Sequence, residues 1–341
     1  MKNFIICLVL ALMLTFVTGC QTPAPSNVPQ APDTAAPQQD APATQEPEPE
    51  AKKFMVGMTN NGLSDSFAIK NKAYFEEHLA AAGYEVIATV NDDVSERITA
   101  IENMITQGVD ALIIIEGSVF DLETVLREAH DAGIVVISFT AGYDENFVDY
   151  YVSGDDALQA QQAMEQMVSY MGDKGSIVEI INDVGEMIRI RKEAMHAYIA
   201  EKYPDIHVDY SMVYAWPDYY ADVYSKVEAL LQAHPEPGEI SGIFATFDGV
   251  GLAAAAAVRD AGLQDYITIV GICGDDDTWV EMQIEDTPFK ATIAQSVPDM
   301  CDCAIEGLTA LLNGEDLEDR CPIVPAVVVD QSNFKEWAGI Q

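Results

Sequence analysis

The chain has 341 residues, about half of them apolar, and carries 56 acidic against 17 basic residues, for a formal net charge of −39. The electrostatic field of so large a negative charge is incompatible with a basic binding surface. The composition therefore excludes nucleic-acid binding and disfavours adhesion to anionic lipid. We interpret the charge as an acidic, highly soluble surface rather than as a preference for cationic ligands.

The first twenty residues have the pattern of an export signal. Lys2 supplies a positive start, a strongly apolar stretch runs from residue 4 to residue 17, and small residues lead to Cys20. The stretch is too short to span a bilayer as a mature helix. The segment resembles a bacterial lipoprotein signal, which implies lipidation of Cys20 and removal of residues 1–19. An ordinary secretory signal is the alternative, and both place the protein outside the cytoplasm.

Residues 21–51 predict a spacer without packed structure. They contain eight prolines, with Ala, Gln and Thr between them and no Lys or Arg. Such a segment has too little apolar surface to offset the entropy lost on ordering, so we expect an extended, disordered tether. No later stretch is long and apolar enough to be a transmembrane helix, which predicts an anchored protein rather than a spanning one.

From residue 53 onward, short β-branched runs alternate with amphipathic helices. The first strands are predicted at 54–58, 84–89, 111–115 and 134–138, and the helices between them end at Gly83, Gly108 and Gly133. Glycine suits the left-handed position that ends a helix. Ser64 and Asp93 are the predicted N-caps of the first two helices. The wholly apolar run 111–115 is typical of a parallel sheet covered on both faces.

The same alternation then starts again. Further strands are predicted at 150–152, 176–181, 207–214, 242–246, 267–272, 291–295 and 324–329, with helices between them. These are too many βα units for one open sheet. The predicted fold class is therefore α/β, with two doubly wound parallel-sheet lobes and a ligand held between the carboxyl ends of their strands.

Several local runs resemble the type I periplasmic sugar-binding proteins, the ribose- and galactose-binding group of ABC transporter solute receptors. They are Asn60-Asn61 followed by Phe67, the Arg-rich helix start at 189–195, the aromatic loop at 215–218 and the strand ends at 244–248, 270–274 and 291–295. The resemblance covers residues 53–335. It implies a hinge of three crossovers, near residues 153–155, after residue 295 and near 322–325. The implied lobes are residues 52–154 with 296–323, and 155–295 with 324–341.

The resemblance and the chemistry of sugars together give the candidate site. Trp216 and Phe67 offer flat faces for sugar C–H groups, while Asn61, Arg191 and Gln295 offer planar groups for hydroxyls. Whether Arg189 or Arg191 faces the cleft stays open. The full set of candidates is Asn60, Asn61, Phe67, Phe139, Thr140, Arg191, Trp216, Phe247, Asp248, Cys273, Asp275 and Gln295.

This chain departs from the sugar-binding pattern at three polar positions. Phe139-Thr140, Phe247-Asp248 and Cys273 stand where the family usually has Asp-Arg, Asn-Asp and Asp. Asp275 is a candidate replacement for the last acid. The departures predict a more apolar pocket than a ribose site, so the ligand's identity stays open.

The resemblance implies a monomeric binding protein with a sugar-like ligand and an ABC permease as partner, without catalysis, cofactor or metal. Three alternatives stay open. Residues 62–67 faintly resemble the first-strand loop of nucleoside-binding lipoproteins, whose aromatic side chains would stack on a base. A sensory lipoprotein would pass on its bound state without transport. Gly249-Val-Gly251 opens a Gly-x-Gly-x-x-Ala run that would suit a dinucleotide-binding dehydrogenase, but close helix–sheet packing explains it as well.

The cysteines and histidines form no recognisable metal or nucleophile pattern. Cys301 and Cys303 lie two apart in a predicted helix and so point to different faces. A disulfide from Cys321 to Cys301 or Cys303 is compatible with an extracytoplasmic location, and the sequence leaves it open.

Overall fold

The computed structural model describes residues 53–182 and 185–339, so the predicted signal, Cys20 and the tether lie outside the described residues. The strands are β1 (Met55–Asn60), β2 (Glu85–Val90), β3 (Ala111–Ile115), β4 (Val135–Phe139), β5 (Tyr150–Val152), β6 (Gly175–Ile181), β7 (Ile206–Val213), β8 (Gly242–Ala245), β9 (Thr268–Cys273), β10 (Phe289–Ala294) and β11 (Val327–Asp330). The helices are α1 (Ser66–Ala81), α2 (Val94–Gln107), α3 (Glu123–Asp131), α4 (Asp156–Met171), α5 (Glu186–Lys202), α6 (Tyr219–Ala233), α7 (Asp248–Asp260), α8 (Asp276–Glu281), α9 (Val297–Leu312) and α10 (Phe334–Trp337).

These elements form two sheets with helices on both faces, which confirms the predicted fold class. The first sheet has the order β2-β1-β3-β4-β5, with every pairing parallel. The second has the order β11-β10-β9-β8-β6-β7. Its edge strand β11 is antiparallel to β10, which departs from the all-parallel prediction. An antiparallel strand is readily accepted at the edge of an otherwise parallel sheet.

The chain passes between the two sheets three times. β5 belongs to the first sheet, whereas α4 packs against β9 and β10 of the second. After β10 the chain returns, because α9 packs against α1, β4 and β5. A parallel bridge between Ser153 and Ile323 precedes the last passage, into β11. Two of the three connections therefore run side by side.

Helix ends follow local capping chemistry. Asp93 caps α2 as predicted, because its Oδ1 accepts from the amides of Ser95 and Glu96. The prediction of Ser64 as the cap of α1 was wrong: the cap is Asp65, whose Oδ1 accepts from the Ala68 amide at 2.8 Å. A carboxylate is the stronger acceptor for the unpaired amides of a first turn. Gly108 ends α2 in the left-handed region, with φ 78°.

Two further helical predictions need correction. The helix predicted between the strands at 111–115 and 134–138 begins as a 3-10 turn, Val119–Leu122, and becomes α-helical only at Glu123. The short helix α10 was not predicted, since four residues carry too little periodicity to detect.

The apolar strands carry the core of each lobe. Every residue of β3 is buried, and separate apolar clusters lie on the two faces of the first sheet. The second sheet is covered in the same way. Small residues at the start of α7 let that helix approach its sheet, because a Cβ on Gly251 would lie 2.7 Å from the Phe289 ring and 3.0 Å from the Ala245 side chain. Helix–sheet packing therefore accounts for Gly251, whereas a Cβ on Gly249 would lie 2.6 Å from the Phe247 ring and from the Tyr219 hydroxyl.

Cys273, Cys301, Cys303 and Cys321 are free thiols. Within residues 53–182 and 185–339, no helix is long and apolar enough to cross a membrane. The same described residues contain no cluster of His, Cys, Asp and Glu side chains that would hold a metal ion.

Candidate functional site

A cavity lies between the carboxyl ends of the two sheets. It contains about 490 Å³ of space free of protein atoms, part of it continuous with solvent. Its walls come from the loops and turns that follow β1, β3, β6, β7, β8 and β9, which is where a doubly wound sheet presents its ligand site. The lining residues are Asn61, Asp65, Phe67, Glu116, Gly117, Asn182, Gly185, Met187, Ile188, Tyr214, Trp216, Phe247 and Cys273.

The backbone at several of these strand ends adopts unusual conformations. Glu116 and Thr140 follow β3 and β4 with φ of 57°, and Cys273 ends β9 with φ of 131°. Positive φ is uncommon for residues with a side chain and is concentrated at functional sites. Gly117 adds a steric requirement, since a Cβ there would lie 2.6 Å from Nη1 of Arg97.

The two lobes touch each other around the cavity. The Glu186 amide donates to the Gly117 carbonyl at 3.2 Å, and the Tyr219 hydroxyl donates to the Ser64 carbonyl at 3.2 Å. Lys70 pairs with Asp276 at 2.7 Å, joining α1 of the first lobe to α8 of the second. These contacts close the cleft over the cavity.

Aromatic side chains form much of the wall. The Trp216 ring stacks on Tyr219 with centroids 6.0 Å apart, and Tyr219 meets Phe247 edge-on at 5.0 Å. Phe67 stacks on the fully buried Phe139 at 6.3 Å. The cavity therefore offers rigid apolar faces from both lobes.

Polar groups without protein partners accompany these rings. Asn61 is 8% exposed and lines the cavity, and its side-chain amide makes no hydrogen bond within the described residues. The buried indole Nε1 of Trp216 also has no partner there. Buried polar groups are normally paired, so these two groups are free to bond with a ligand.

Two carboxylates lie in the same walls. Burial raises the pKa of Asp65, against the opposing effect of the amides of Ala68 and Phe67. The pKa of Glu116 lies well above its ordinary value, because of burial and then because of the charge on Asp65. Asn71 donates to Oε1 of Glu116 at 2.9 Å and in turn accepts from Asn60 at 3.0 Å. Asn60 thus orients Glu116 through Asn71.

Arg191 lies behind the cavity and does not line it. It is fully buried, its Nε donates to Asp156 at 2.9 Å, and its Nη1 donates to the Thr246 carbonyl at 2.8 Å. Arg189 lies on the more exposed side of α5, where it pairs with Glu186. Neither Arg189 nor Arg191 lines the cavity, so neither of the two candidate arginines faces the ligand space directly.

Asp248 is fully buried as well, and its role is structural. Its carboxylate accepts from the amides of Gly274 and Asp275 and from the hydroxyls of Thr278 and Thr292. These donors hold the turn after β9 against the start of α7. Asp248 therefore shapes the cavity edge without facing it.

A second groove lies beside the cavity, between α1, the turn after β9 and the start of α9. Asp275 and Gln295 line this groove, and Phe67 and Cys273 line both spaces. The Oε1 of Gln295 is buried without a partner, while its Nε2 donates to Gln159 at 3.3 Å. Burial, followed by the charges of Asp248 and Asp65, raises the pKa of Asp275 well above its ordinary value.

The structure thus brings some of the sequence candidates together and separates others. Asn61, Phe67, Trp216, Phe247 and Cys273 line the cavity. Asp275 and Gln295 line the groove. The candidates that line neither space are Asn60, Phe139, Thr140, Arg191 and Asp248.

Sequence reasoning missed Glu116 and Tyr214, and it noted Asp65 only within a nucleoside-like loop. Glu116 stands directly after the predicted apolar strand 111–115, and Tyr214 is the last residue of the predicted strand 207–214, so both lie at the edge where parallel strands present their ligands. That position was the available signal for both residues.

Comparisons with known proteins agree with this architecture. The sequence profile of the periplasmic binding protein domain matches residues 56–316. A xylitol-binding protein of Mycolicibacterium smegmatis is 27% identical over 277 residues, which cover 81% of this chain and 77% of that protein. A ribose import binding protein of Bacillus subtilis is 24% identical over 272 residues, which cover 78% of this chain and 84% of that protein.

Solved structures share the fold. An ABC transporter solute-binding protein of Agrobacterium vitis, determined with bound allitol, superposes with a TM-score of 0.79 at 22% identity, over 84% of this chain and 99% of that one. A 5-methylthioribose transporter solute-binding protein of Thermotoga lettingae superposes with a TM-score of 0.77 at 21% identity, over 83% and 87% of the two chains. With two doubly wound lobes closed over one cavity and a profile match across both, the chain belongs to the type I periplasmic sugar-binding proteins, a family of binding components and not of enzymes.

Proposed function

We propose that this protein is a lipid-anchored, extracytoplasmic solute receptor that captures a sugar or sugar-like molecule and presents it to an ABC permease. The observation that carries the proposal is the interlobe cavity, with aromatic faces from both lobes and the unpartnered amide of Asn61. Flat apolar faces suit sugar C–H groups, and amides suit hydroxyls. The relatives named for xylitol and ribose support a polyol or sugar.

Within this proposal the candidate residues divide into three roles. Trp216, Phe67 and Phe247 cover the apolar faces of the ligand, and Asn61 bonds its hydroxyls. Cys273 closes the side of the cavity next to the groove, where Asp275 and Gln295 contact any part of the ligand that extends past it. The remaining candidates position these groups from behind. They are Asn60, Phe139, Thr140, Arg191 and Asp248.

The membrane attachment rests on the sequence of the first fifty residues. The lipoprotein-like signal ending at Cys20 and the proline-rich tether support a folded body held at a distance from a membrane. Replacement of Cys20 by Ser should move the protein from the membrane fraction to the soluble extracytoplasmic fraction. Retention in the membrane fraction would remove the anchor from the proposal and leave the receptor role.

Nucleosides are the second candidate ligand, because four aromatic side chains line the cavity. They are Phe67, Tyr214, Trp216 and Phe247. Stacking on aromatic rings is tolerant of base identity and contributes about 1–3 kcal/mol per base. A thermal-shift panel that sets monosaccharides and polyols against nucleosides separates the two classes, since only the correct class raises the melting temperature.

Trp216→Ala tests the site directly. It removes one aromatic face and the free indole N–H, so we expect ligand affinity to fall about tenfold or more while the protein stays folded. Calorimetry with the ligand found in the panel measures the change. Tyr266→Ala is the control, because Tyr266 is 52% exposed and lines neither the cavity nor the groove. Equal affinities in the two variants would remove Trp216 from the site.

A further inference from the structure

The walls of the cavity contain acidic side chains and no basic ones. Asp65 and Glu116 line it, and none of its described lining residues is Lys, Arg or His. Neither carboxylate makes an ion pair within residues 53–182 and 185–339. A neutral polyol needs no such excess, because uncharged amides and hydroxyls bind its hydroxyls without the cost of burying charge.

Acidic side chains also outnumber basic ones among the buried residues behind the cavity walls. Two buried guanidinium groups, of Arg97 and Arg191, face five carboxylates around the cleft. The carboxylates are those of Asp65, Glu116, Asp156, Asp248 and Asp275.

Asp156 and Asp248 have several strong partners in the protein, whereas Asp65 and Glu116 accept only from amides in the described part of the chain, including those of Ala68 and Asn71. Arg191 neutralises Asp156, and four hydrogen-bond donors satisfy Asp248. Arg97 donates to the backbone carbonyl of Glu116 and not to its carboxylate. Lys70 lines the groove beside Asp275 and partly offsets its charge, which leaves Asp65 and Glu116 on the cavity wall without an ion-pair partner among the described residues.

The aromatic lining points to the same kind of ligand. Phe67, Tyr214, Trp216 and Phe247 present ring surfaces around the two acids. Aromatic faces attract cations through their quadrupole, and they attract ammonium groups most when water is excluded. The unpartnered side-chain amide of Asn61, which is 8% exposed, supplies an independent hydrogen-bonding group for a hydroxylated ligand. A metal ion is not favoured, because the described residues contain no ligand cluster for one.

We propose that the cleft binds an organic cation: a hydroxylated molecule of monosaccharide size that carries a protonated amine, of the amino-sugar or amino-polyol class. Asp65 and Glu116 are the counter-charges for the ammonium group, and the aromatic rings cover the rest of the molecule. This inference rests on the proposed receptor function and narrows its ligand class.

The test compares matched pairs that differ by one amine. Calorimetry measures the affinity of the protein for glucosamine and glucose, galactosamine and galactose, mannosamine and mannose, and 1-amino-1-deoxysorbitol and sorbitol. In at least one pair we expect the amine to bind about tenfold or more tightly than its neutral partner. Preference for the neutral member in every pair that binds overturns the inference and leaves the sugar-receptor function standing. Absence of binding by all four amines also overturns it.

Variants then assign the preference to the two acids. Asp65→Asn keeps a residue that caps helices well, and Glu116→Gln keeps an oxygen for Asn71. Both should reduce the amine's advantage over its neutral partner several-fold. Glu102→Gln is the control, because Glu102 is exposed on α2. An advantage that survives in both variants overturns the assignment. Mass spectrometry under native conditions gives a separate outcome, since a co-purified neutral sugar would refute the cation and support the receptor.

Discussion

Each lobe buries one arginine beneath the cleft, and the two are satisfied in different ways. Arg97 in the first lobe donates only to carbonyls, those of Thr59, Ile115 and Glu116, at 2.7–2.8 Å. Burial lowers its pKa to about 10. Arg191 in the second lobe pairs with Asp156, and although burial acts against it, that carboxylate raises its pKa.

The difference shows where the negative charge of the cleft originates. The second lobe uses its arginine in an internal ion pair, so the charges of Arg191 and Asp156 neutralise each other. The first lobe uses its arginine to hold strand ends together, and the carboxylate of Glu116 remains directed at the cavity. Two similar lobes therefore contribute unequally to the cavity wall: the first supplies both of its acidic side chains and the second supplies three of its four aromatic rings.

The largest expected effect is on Arg191. Arg191→Met leaves Asp156 as an unpaired buried charge, so the free energy of unfolding should fall by about 3–5 kcal/mol. Urea denaturation measures it. Arg127→Met is the control, because Arg127 pairs with Glu123 at the surface and a surface pair contributes about 0–1 kcal/mol. Adding Asp156→Leu to Arg191→Met should recover most of the loss. A single variant as stable as the control would show that the pair is not needed.

Arg97→Met should lower the free energy of unfolding by less than Arg191→Met does. It removes hydrogen-bond donors from backbone carbonyls, but it leaves no carboxylate that had been paired with the arginine. We expect about 1–3 kcal/mol from denaturation under the same conditions. The Ile115 carbonyl keeps the amide of Asn61 as a donor at 3.1 Å, which limits the loss. If Arg97→Met lowered the free energy of unfolding as much as Arg191→Met or more, the difference between the two lobes would be contradicted.

The raised pKa of Glu116 predicts an unusual pH dependence. A carboxyl whose pKa is higher in the folded than in the unfolded state keeps its proton longer when folded. Stability is then fully present below the unfolded pKa, near 4.5, and falls as the pH rises through the folded pKa. The charged groups around Glu116 are Asp65, Arg97 and Arg191, and the negative charge of Asp65 adds to the effect of burial.

Melting curves between about pH 5 and pH 8 measure this dependence. The slope should be at most about 1.4 kcal/mol per pH unit for this one group, and Glu116→Gln should flatten it. Glu102→Gln, at an exposed position, should leave the slope unchanged. A protein that gains stability over the same interval, or a slope unaltered in Glu116→Gln, would contradict the prediction.

The smallest effect concerns closure. Tyr219→Phe removes the hydrogen bond to the Ser64 carbonyl and keeps the ring that packs on Phe247. Ligand affinity should fall about two- to tenfold, as expected for one hydrogen bond, with little change in the free energy of unfolding. Tyr220→Phe is the control, since Tyr220 is 50% exposed. Identical affinities in the two variants would exclude this contact from closure.

The fold was readable because its signals are local. The run at β3 is apolar throughout and forms a strand of the predicted length, and α2 ends at the predicted Gly108. The spacing of apolar residues, and the glycines that end helices in the left-handed conformation, predict such strands and helices from neighbouring residues alone. The antiparallel edge strand β11 has no local signal, because strand direction depends on where the chain re-enters the second sheet.

The site was less readable because its geometry depends on contacts between distant residues. Arg189 and Arg191 lie two positions apart on α5, so they point in different directions, and only the position of Asp156 shows which one is inside. Asp248 follows β8 as a binding residue would, but donors from residues 274–292 turn it inward. Glu116 was missed because one polar residue after an apolar strand resembles an ordinary turn.

Phe67 and Cys273 border both the cavity and the neighbouring groove, so together they act as a partition. A partition made of side chains sets an upper size for what the closed protein can enclose. Shortening Phe67 would join the two compartments, and the receptor would then accept longer molecules whose far ends reach Gln295. We therefore expect Phe67→Ala to widen the range of ligand lengths that the protein accepts, while the acidic side chains of the cavity wall stay in place.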